Sequence, residues 1–202
     1  MEENPLRTAT IVRETSESKV SVEVNLDGTG KAEINTPVGF LKHMLNQIAR
    51  HGLIDLKVEA DGDLETGSHH TVEDTAIVFG RAVREAVGDG QGIIRMGHVY
   101  VPLDETLAFV ALDIGGRPYA VVRIGLSDEQ VGDLPGDLVR HFLETFALEA
   151  RIAVHARIVE GSNPHHKAEA LFKGLARALR EAVTVDPRAS EQVPSTKGTL
   201  NN

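Results

Sequence analysis

Arg81-Ala82-Val83-Arg84-Glu85-Ala86-Val87 returns further along the chain as Arg177-Ala178-Leu179-Arg180-Glu181-Ala182-Val183. At the same offset upstream, His69-His70-Thr71-Val72-Glu73 returns as His165-His166-Lys167-Ala168-Glu169. Further upstream still, Leu41-Lys42-His43-Met44-Leu45 is echoed by Val139-Arg140-His141-Phe142-Leu143. There the offset drifts by two, as a small loop insertion would cause. Helices rich in Ala, Arg and Glu resemble one another, so the heptads alone could arise by chance. Paired histidines repeated in the same order are not explained that way, and ordered self-similarity is the mark of an internal duplication.

Around these anchors the periodicities alternate between strand and helix. Val20 to Leu26 alternates apolar and polar residues as a half-buried strand does. Asp27-Gly28-Thr29-Gly30 reads as a hairpin turn, with Lys31 to Ile34 returning beside it. Pro37 then opens a helix over Val38 to Arg50, ending near Gly52. Leu53 to Ala60 alternates again, and Asp61-Gly62-Asp63 turns. Thr71 to Val87 forms a second helix with apolar positions at 72, 76, 79, 83 and 87. The second half repeats the plan: strands at Val99 to Pro102, Thr106 to Ile114 and Pro118 to Gly125, a helix at Asp137 to Ala150, a strand at Ile152 to Val159, and a helix at His166 to Val183. The expected architecture is α+β: an internally duplicated two-layer unit, its sheets mainly antiparallel, with helices packed on one face. The halves are expected at residues 1–92 and 93–186, with a polar tail over 187–202.

Composition narrows the function. A chain of 202 residues with 41% hydrophobic residues can bury a full core. A net charge of −9 and only 4% aromatics argue against nucleic-acid binding, which needs clustered cations and stacking surfaces. The absence of cysteine excludes disulfides, thiolate metal sites and a Cys nucleophile. No apolar stretch is long enough to span a membrane, and the acidic start Met1-Glu2-Glu3-Asn4-Pro5 lacks the apolar core of a signal peptide. A cytoplasmic chain is expected.

The histidine boxes carry the chemistry. Positions three and four apart share a helix face, so Glu73 can join His69 or His70 on one metal, and Glu169 can join His165 or His166. Adjacent histidines point about 100° apart and can serve different metals. His43 and His141 lie on the other helix of each half and can each add a ligand. Six histidines and two glutamates then divide into three His and one Glu for each of two metals. Imidazole suits several first-row ions, so the set does not name the metal. His-Glu-x-x-His, Gly-x-Ser-x-Gly and phosphate-cradling Gly-rich loops are absent. The rival readings are a dinuclear metallohydrolase acting on a phosphoester and a purely structural or storage metal site.

At these boxes the sequence resembles the imidazoleglycerol-phosphate dehydratase family. Further matching stretches are Asn25 to Gly30, Phe40 to Leu45, Pro102-Leu103-Asp104-Glu105, Gly116-Arg117-Pro118-Tyr119 and Pro194-Ser195-Thr196-Lys197-Gly198. Two departures are visible. Lys42 stands where the family commonly has Asp, and Thr66-Gly67-Ser68 replaces a usually acidic segment.

The resemblance implies two Mn2+ per active site, held by His43, His69, His70, Glu73, His141, His165, His166 and Glu169. It implies a homo-oligomer, a 24-subunit shell built from trimers, with ligands shared across subunits. It implies dehydration of imidazoleglycerol phosphate to imidazole acetol phosphate in histidine biosynthesis, through a metal-bound imidazolate and a diazafulvene-like intermediate. Glu17 is the implied acid/base. Arg95, Arg117, Lys173, Ser195 and Lys197 are the implied phosphate ligands, with Gln47 and His51 as lesser substrate contacts. The tail bearing Ser195 and Lys197 is expected to order when phosphate binds.

Overall fold

The computed structural model describes residues 7–200, so the acidic start and the last two residues of the tail lie outside it. The chain runs β1 (Thr8–Glu14), β2 (Ser18–Asn25), β3 (Ala32–Asn35), α1 (Gly39–Gly52), β4 (Asp55–Gly62) and α2 (His69–Val87). It continues with β5 (Met96–Leu103), β6 (Thr106–Asp113), β7 (Tyr119–Arg123), β8 (Gln130–Val131), β9 (Leu134–Pro135), α3 (Gly136–Glu149), β10 (Ala153–Glu160) and α4 (Pro164–Val183).

Two four-stranded sheets result, ordered β1-β2-β4-β3 and β5-β6-β10-β7. Each is antiparallel except at one edge, where β3 runs parallel to β4 and β7 parallel to β10. The alternation in β2 is the physical cause of its placement. Ser18, Val20, Val22 and Val24 point to the core while Lys19 and Glu23 face out.

Helices cover the inner face of each sheet. α2 lies on β1 and β2, and α4 lies on β5 and β6. α3 packs on α2, and α1 packs on α4. Phe79 stacks on Phe146 between the first pair, and Phe142 meets Phe172 between α3 and α4. α2 and α3 approach closely at Gly80, where a Cβ would sit 2.9 Å from the Phe146 carbonyl oxygen. All four phenylalanines are fully buried, and with Leu41, Met44, Leu45 and Ile48 of α1 they make one continuous core.

Most element boundaries agree with the periodicities to within a few residues, with three departures. Lys31 to Ile34 does not return beside β2. Its counterpart β3 crosses to β4, because the Asp55 carboxylate accepts the backbone N–H of Thr29 (2.8 Å) and of Lys31 (2.9 Å) and anchors the connecting loop there. β1 takes the free edge of β2, with a register from Thr8↔Asn25 to Glu14↔Lys19. The short β8–β9 hairpin has no counterpart in the periodicities, and it supplies the cap of α1. Val38 provides no side-chain cap there. Asp133, in the hairpin turn, instead accepts the N–H of Gly39 (2.6 Å) and of Phe40 (2.7 Å).

Candidate metal centre

Both His-His-x-x-Glu boxes open a helix. α4 is well capped: Asn163 accepts from the N–H of His165 and His166, and Pro164 occupies the first turn. α2 begins at Ser68 with no side-chain cap bond, which is where the Thr66-Gly67-Ser68 departure falls.

From these helix starts two clusters form. In one, the Glu169 Oε2 atom lies 3.1 Å from the Nε2 atoms of both His43 and His165. In the other, His141 Nε2 lies 3.1 Å from Glu73 Oε1, and the His69 ring sits 4.9 Å from that of His141. In each cluster the three donor atoms lie within 4.8 Å of one another. Two imidazoles and a carboxylate converging this way fit a divalent first-row ion. The helix pairing crosses the halves: His43 on α1 joins the α4 pair, and His141 on α3 joins the α2 pair.

Electrostatics favour ligation at Glu169. Burial resists its ionisation, but hydrogen bonds from Lys173 (2.6 Å), His43 and His165 prevail and hold its pKa at about 2. His51, two turns beyond His43 along α1, has its pKa lowered by burial and then by the nearby Lys173 and Arg177 charges. Gln47 is half-buried on the same helix.

His70 and His166 fall outside both clusters. His70 Nδ1 lies 3.7 Å from the Glu17 carboxylate, on the β1–β2 turn. His166 Nδ1 lies 2.6 Å from Glu105, on the β5–β6 turn. Within this chain each cluster therefore holds two His and one Glu, not three and one. Asp74 is buried and receives the Ser18 hydroxyl and the Arg13 guanidinium (3.3 Å), tying α2 to the turn that bears Glu17.

The implied phosphate ligands separate into two places. Lys173 pairs with Glu169 near His51. Arg95 instead forms a two-pronged pair with Asp113 (2.6 and 3.0 Å) and donates to the Pro194 carbonyl (2.8 Å). That contact anchors the tail, in which Ser195 Oγ accepts the Lys197 N–H (3.2 Å) and Leu200 is buried. The tail thus meets the fold through the Arg95–Pro194 contact and the buried Leu200 side chain. Arg117 is exposed in the turn before β7.

A family model described as imidazoleglycerol-phosphate dehydratase matches residues 36–179. The chain belongs to the imidazoleglycerol-phosphate dehydratase family. It is 52% identical to the imidazoleglycerol-phosphate dehydratase of Methylorubrum populi, over 96% of this chain and 100% of that one. It is also 52% identical to the enzyme of that name from Methanothermobacter thermautotrophicus, over 96% of this chain and 98% of the relative. The crystal structure of imidazoleglycerol-phosphate dehydratase from Staphylococcus aureus superposes with a TM-score of 0.80 at 37% identity, covering 89% of this chain and 99% of that one. The enzyme from Pyrococcus furiosus gives 0.79 at 36%, covering 93% and 99%. Membership makes the chain a lyase of the dehydratase type, and the family's reaction is dehydration of imidazoleglycerol phosphate in histidine biosynthesis. Among the described residues no helix is long and apolar enough to cross a membrane.

Glu105, Asp104 and Asp133 were not singled out from the sequence as functional. For Glu105 a signal was present. It precedes the first residue of β6 just as Glu17 precedes the first residue of β2.

Proposed function

We propose that this chain removes water from imidazoleglycerol phosphate in the cytoplasm, using two Mn2+ ions per active site. The observation that carries the reading is the pair of His2Glu clusters, each with its donor atoms within 4.8 Å of one another. One cluster would hold an ion through His43, His165 and Glu169, the other through His69, Glu73 and His141. His70 and His166 lie apart from both, so they are proposed to complete the sites of neighbouring subunits in a 24-subunit assembly of trimers. Ligands shared in this way would let metal binding stabilise the subunit interface.

When bound, the ions would supply Lewis-acid stabilisation of the substrate's imidazole as its anion, whose electrons can expel the adjacent hydroxyl. The protein's own groups do the rest. Glu17, on an exposed turn 3.7 Å from His70, moves the proton. Arg117 and Lys197 are exposed cations able to receive the phosphate, with Ser195 beside Lys197 on the tail. Arg95 holds that tail in place through Pro194. Lys173 and His51 stand near Glu169, and Gln47, on the same helix as His51, is assigned to the substrate with them.

The test is turnover of imidazoleglycerol phosphate by Mn-reconstituted protein beside a metal-stripped control. Metal-dependent formation of the ketone without release of inorganic phosphate is expected. Release of inorganic phosphate would replace this reading with phosphoester hydrolysis.

A further inference from the structure

The two histidines outside the clusters have been given different neighbours. Each is approached at Nδ1 by a glutamate from the turn of a β-hairpin: His70 by Glu17 from β1–β2, His166 by Glu105 from β5–β6. The distances are 3.7 Å and 2.6 Å. The first is beyond hydrogen-bonding range and the second is a short, charge-assisted bond.

Glu105 is also held from its other side. Its Oε1 atom accepts the Asn163 N–H (2.8 Å), the Ser162 N–H (3.1 Å) and the Thr106 hydroxyl (3.0 Å). All three donors meet Oε1, and His166 alone meets Oε2. The carboxylate therefore cannot rotate away without stranding three donors. A carboxylate oxygen only accepts, so His166 must carry its proton on Nδ1. The exposed Asp104 carboxylate lies 3.7 Å from its Nε2.

We propose that Glu105 is a positioning residue: locked by three donors on one oxygen, it accepts the His166 Nδ1–H on the other and keeps the Nε2 lone pair turned outward for a metal ion. The inference rests on reading His166 as a ligand. It also explains how one duplicated position has come to serve two ends. Glu105 is committed to four partners, whereas Glu17 is free of such constraint and 57% exposed, as a group that moves protons requires.

The pattern of donors makes Glu105→Gln a sharp test. The three donors on Oε1 pin the amide oxygen there, so the NH2 group must face His166. It can then only donate to Nδ1, which forces the proton onto Nε2 and blocks ligation. The backbone bonds to Ser162 and Asn163 survive. A purely structural role predicts a near-wild-type variant. The positioning role predicts one of two Mn2+ sites weakened by about 10- to 100-fold.

The readout is Mn2+ binding to the full chain, followed by loss of the free-ion electron paramagnetic resonance signal, for wild type, His166→Ala and Glu105→Gln. Two sites in wild type and one weakened site in both variants are expected. Unchanged affinity in Glu105→Gln, with one site weakened in His166→Ala, would overturn the positioning role and leave the metal reading standing. No Mn2+ binding by wild type would instead remove the metal reading. Unchanged binding by His166→Ala would remove His166 from the ligand set and this inference with it. Should Glu105→Gln fail to fold, nitrogen-15 spectra of the wild-type histidines decide the matter. A protonated Nδ1 at His166 is expected, and a bare Nδ1 there overturns the proposal.

Discussion

Glu17 stands on a turn shaped by its neighbour: the Thr15 hydroxyl accepts the backbone N–H of Glu17 (3.2 Å) and of Ser18 (3.1 Å). The turn is therefore fixed by its backbone and by the Ser18–Asp74 contact, while the Glu17 side chain projects freely beside His70. Removing its charge should leave the turn standing. Glu17→Gln is expected to lower kcat by about 10²- to 10⁴-fold, the usual worth of a positioned acid or base, with Mn content and melting temperature unchanged. Near-normal kcat would remove Glu17 from the reaction. Lys197 offers a contrasting case. Its N–H is tied to Ser195 but its ammonium is exposed, so its loss should remove a phosphate contact held equally in ground and transition states. Lys197→Ala should raise KM by about 10- to 100-fold at nearly constant kcat, the scale of one charged hydrogen bond. Steady-state kinetics separate this from Arg95→Ala, which would also free the tail from its Pro194 anchor. Unchanged KM in Lys197→Ala would exclude the contact.

Among the elements, β3 is governed by a side chain far from it in sequence. Asp55 opens β4 and gathers the loop N–H groups of Thr29 and Lys31, delivering β3 parallel to β4. The bond to the Lys31 N–H, with those of the neighbouring loop amides, holds the Asp55 carboxyl below its usual range against the effect of burial. A carboxyl with a depressed folded pKa stabilises fully above its unfolded value, near about 4, and loses that contribution as pH falls through the folded value. Asp55→Ala should cost about 1–2 kcal/mol at pH 7, two backbone bonds' worth. Urea midpoints of wild type and variant should converge as the pH falls towards 3, and a gap that persists would mean the carboxylate is not the agent. The same region marks where local reading stops. Asp27-Gly28-Thr29-Gly30 announces a reversal, but nothing nearby says that β1 already claims the edge of β2. The helices were legible because Val72, Ala76, Phe79 and Val83 mark one buried face. The ligand types were legible too. Which helix meets which was not: His141 reaches α2 because Phe146 stacks α3 on Phe79, His43 reaches α4 because α1 packs on that helix, and packing is a property of the whole core. Glu105 escaped notice for the same reason, since its partners at 162, 163 and 166 come together only when β10 runs beside β6.

At the scale of the molecule, each candidate metal cluster is a tie between two helices that the chain places far apart: α1 with α4, and α2 with α3. An ion bound in either cluster adds a cross-link that the unfolded chain cannot offer, so binding is linked to folding. The phenylalanine core beneath the clusters is fully buried by the helices themselves. Mn2+ should therefore raise the melting temperature of a protein that is folded without it. At a free concentration about 100 times Kd each site contributes roughly 2.7 kcal/mol, and at about 2–4 °C per kcal/mol for a chain of this size one site shifts the midpoint by about 5–10 °C. The two clusters share no residue, so their effects should add. Glu73→Gln should remove the α2–α3 share of the shift and keep the α1–α4 share, and the converse should hold for Glu169→Gln. The cleaner of the two is Glu73→Gln, because Glu169 also pairs with Lys173, whose ammonium would be left without its carboxylate. Thermal melts with Mn2+ and with chelator give the answer directly. A shift halved by each substitution and abolished by both establishes two independent ties. A shift lost entirely on either single substitution would mean that the two clusters bind as one unit, and the halves of the molecule would then be coupled through the metals as well as through the core.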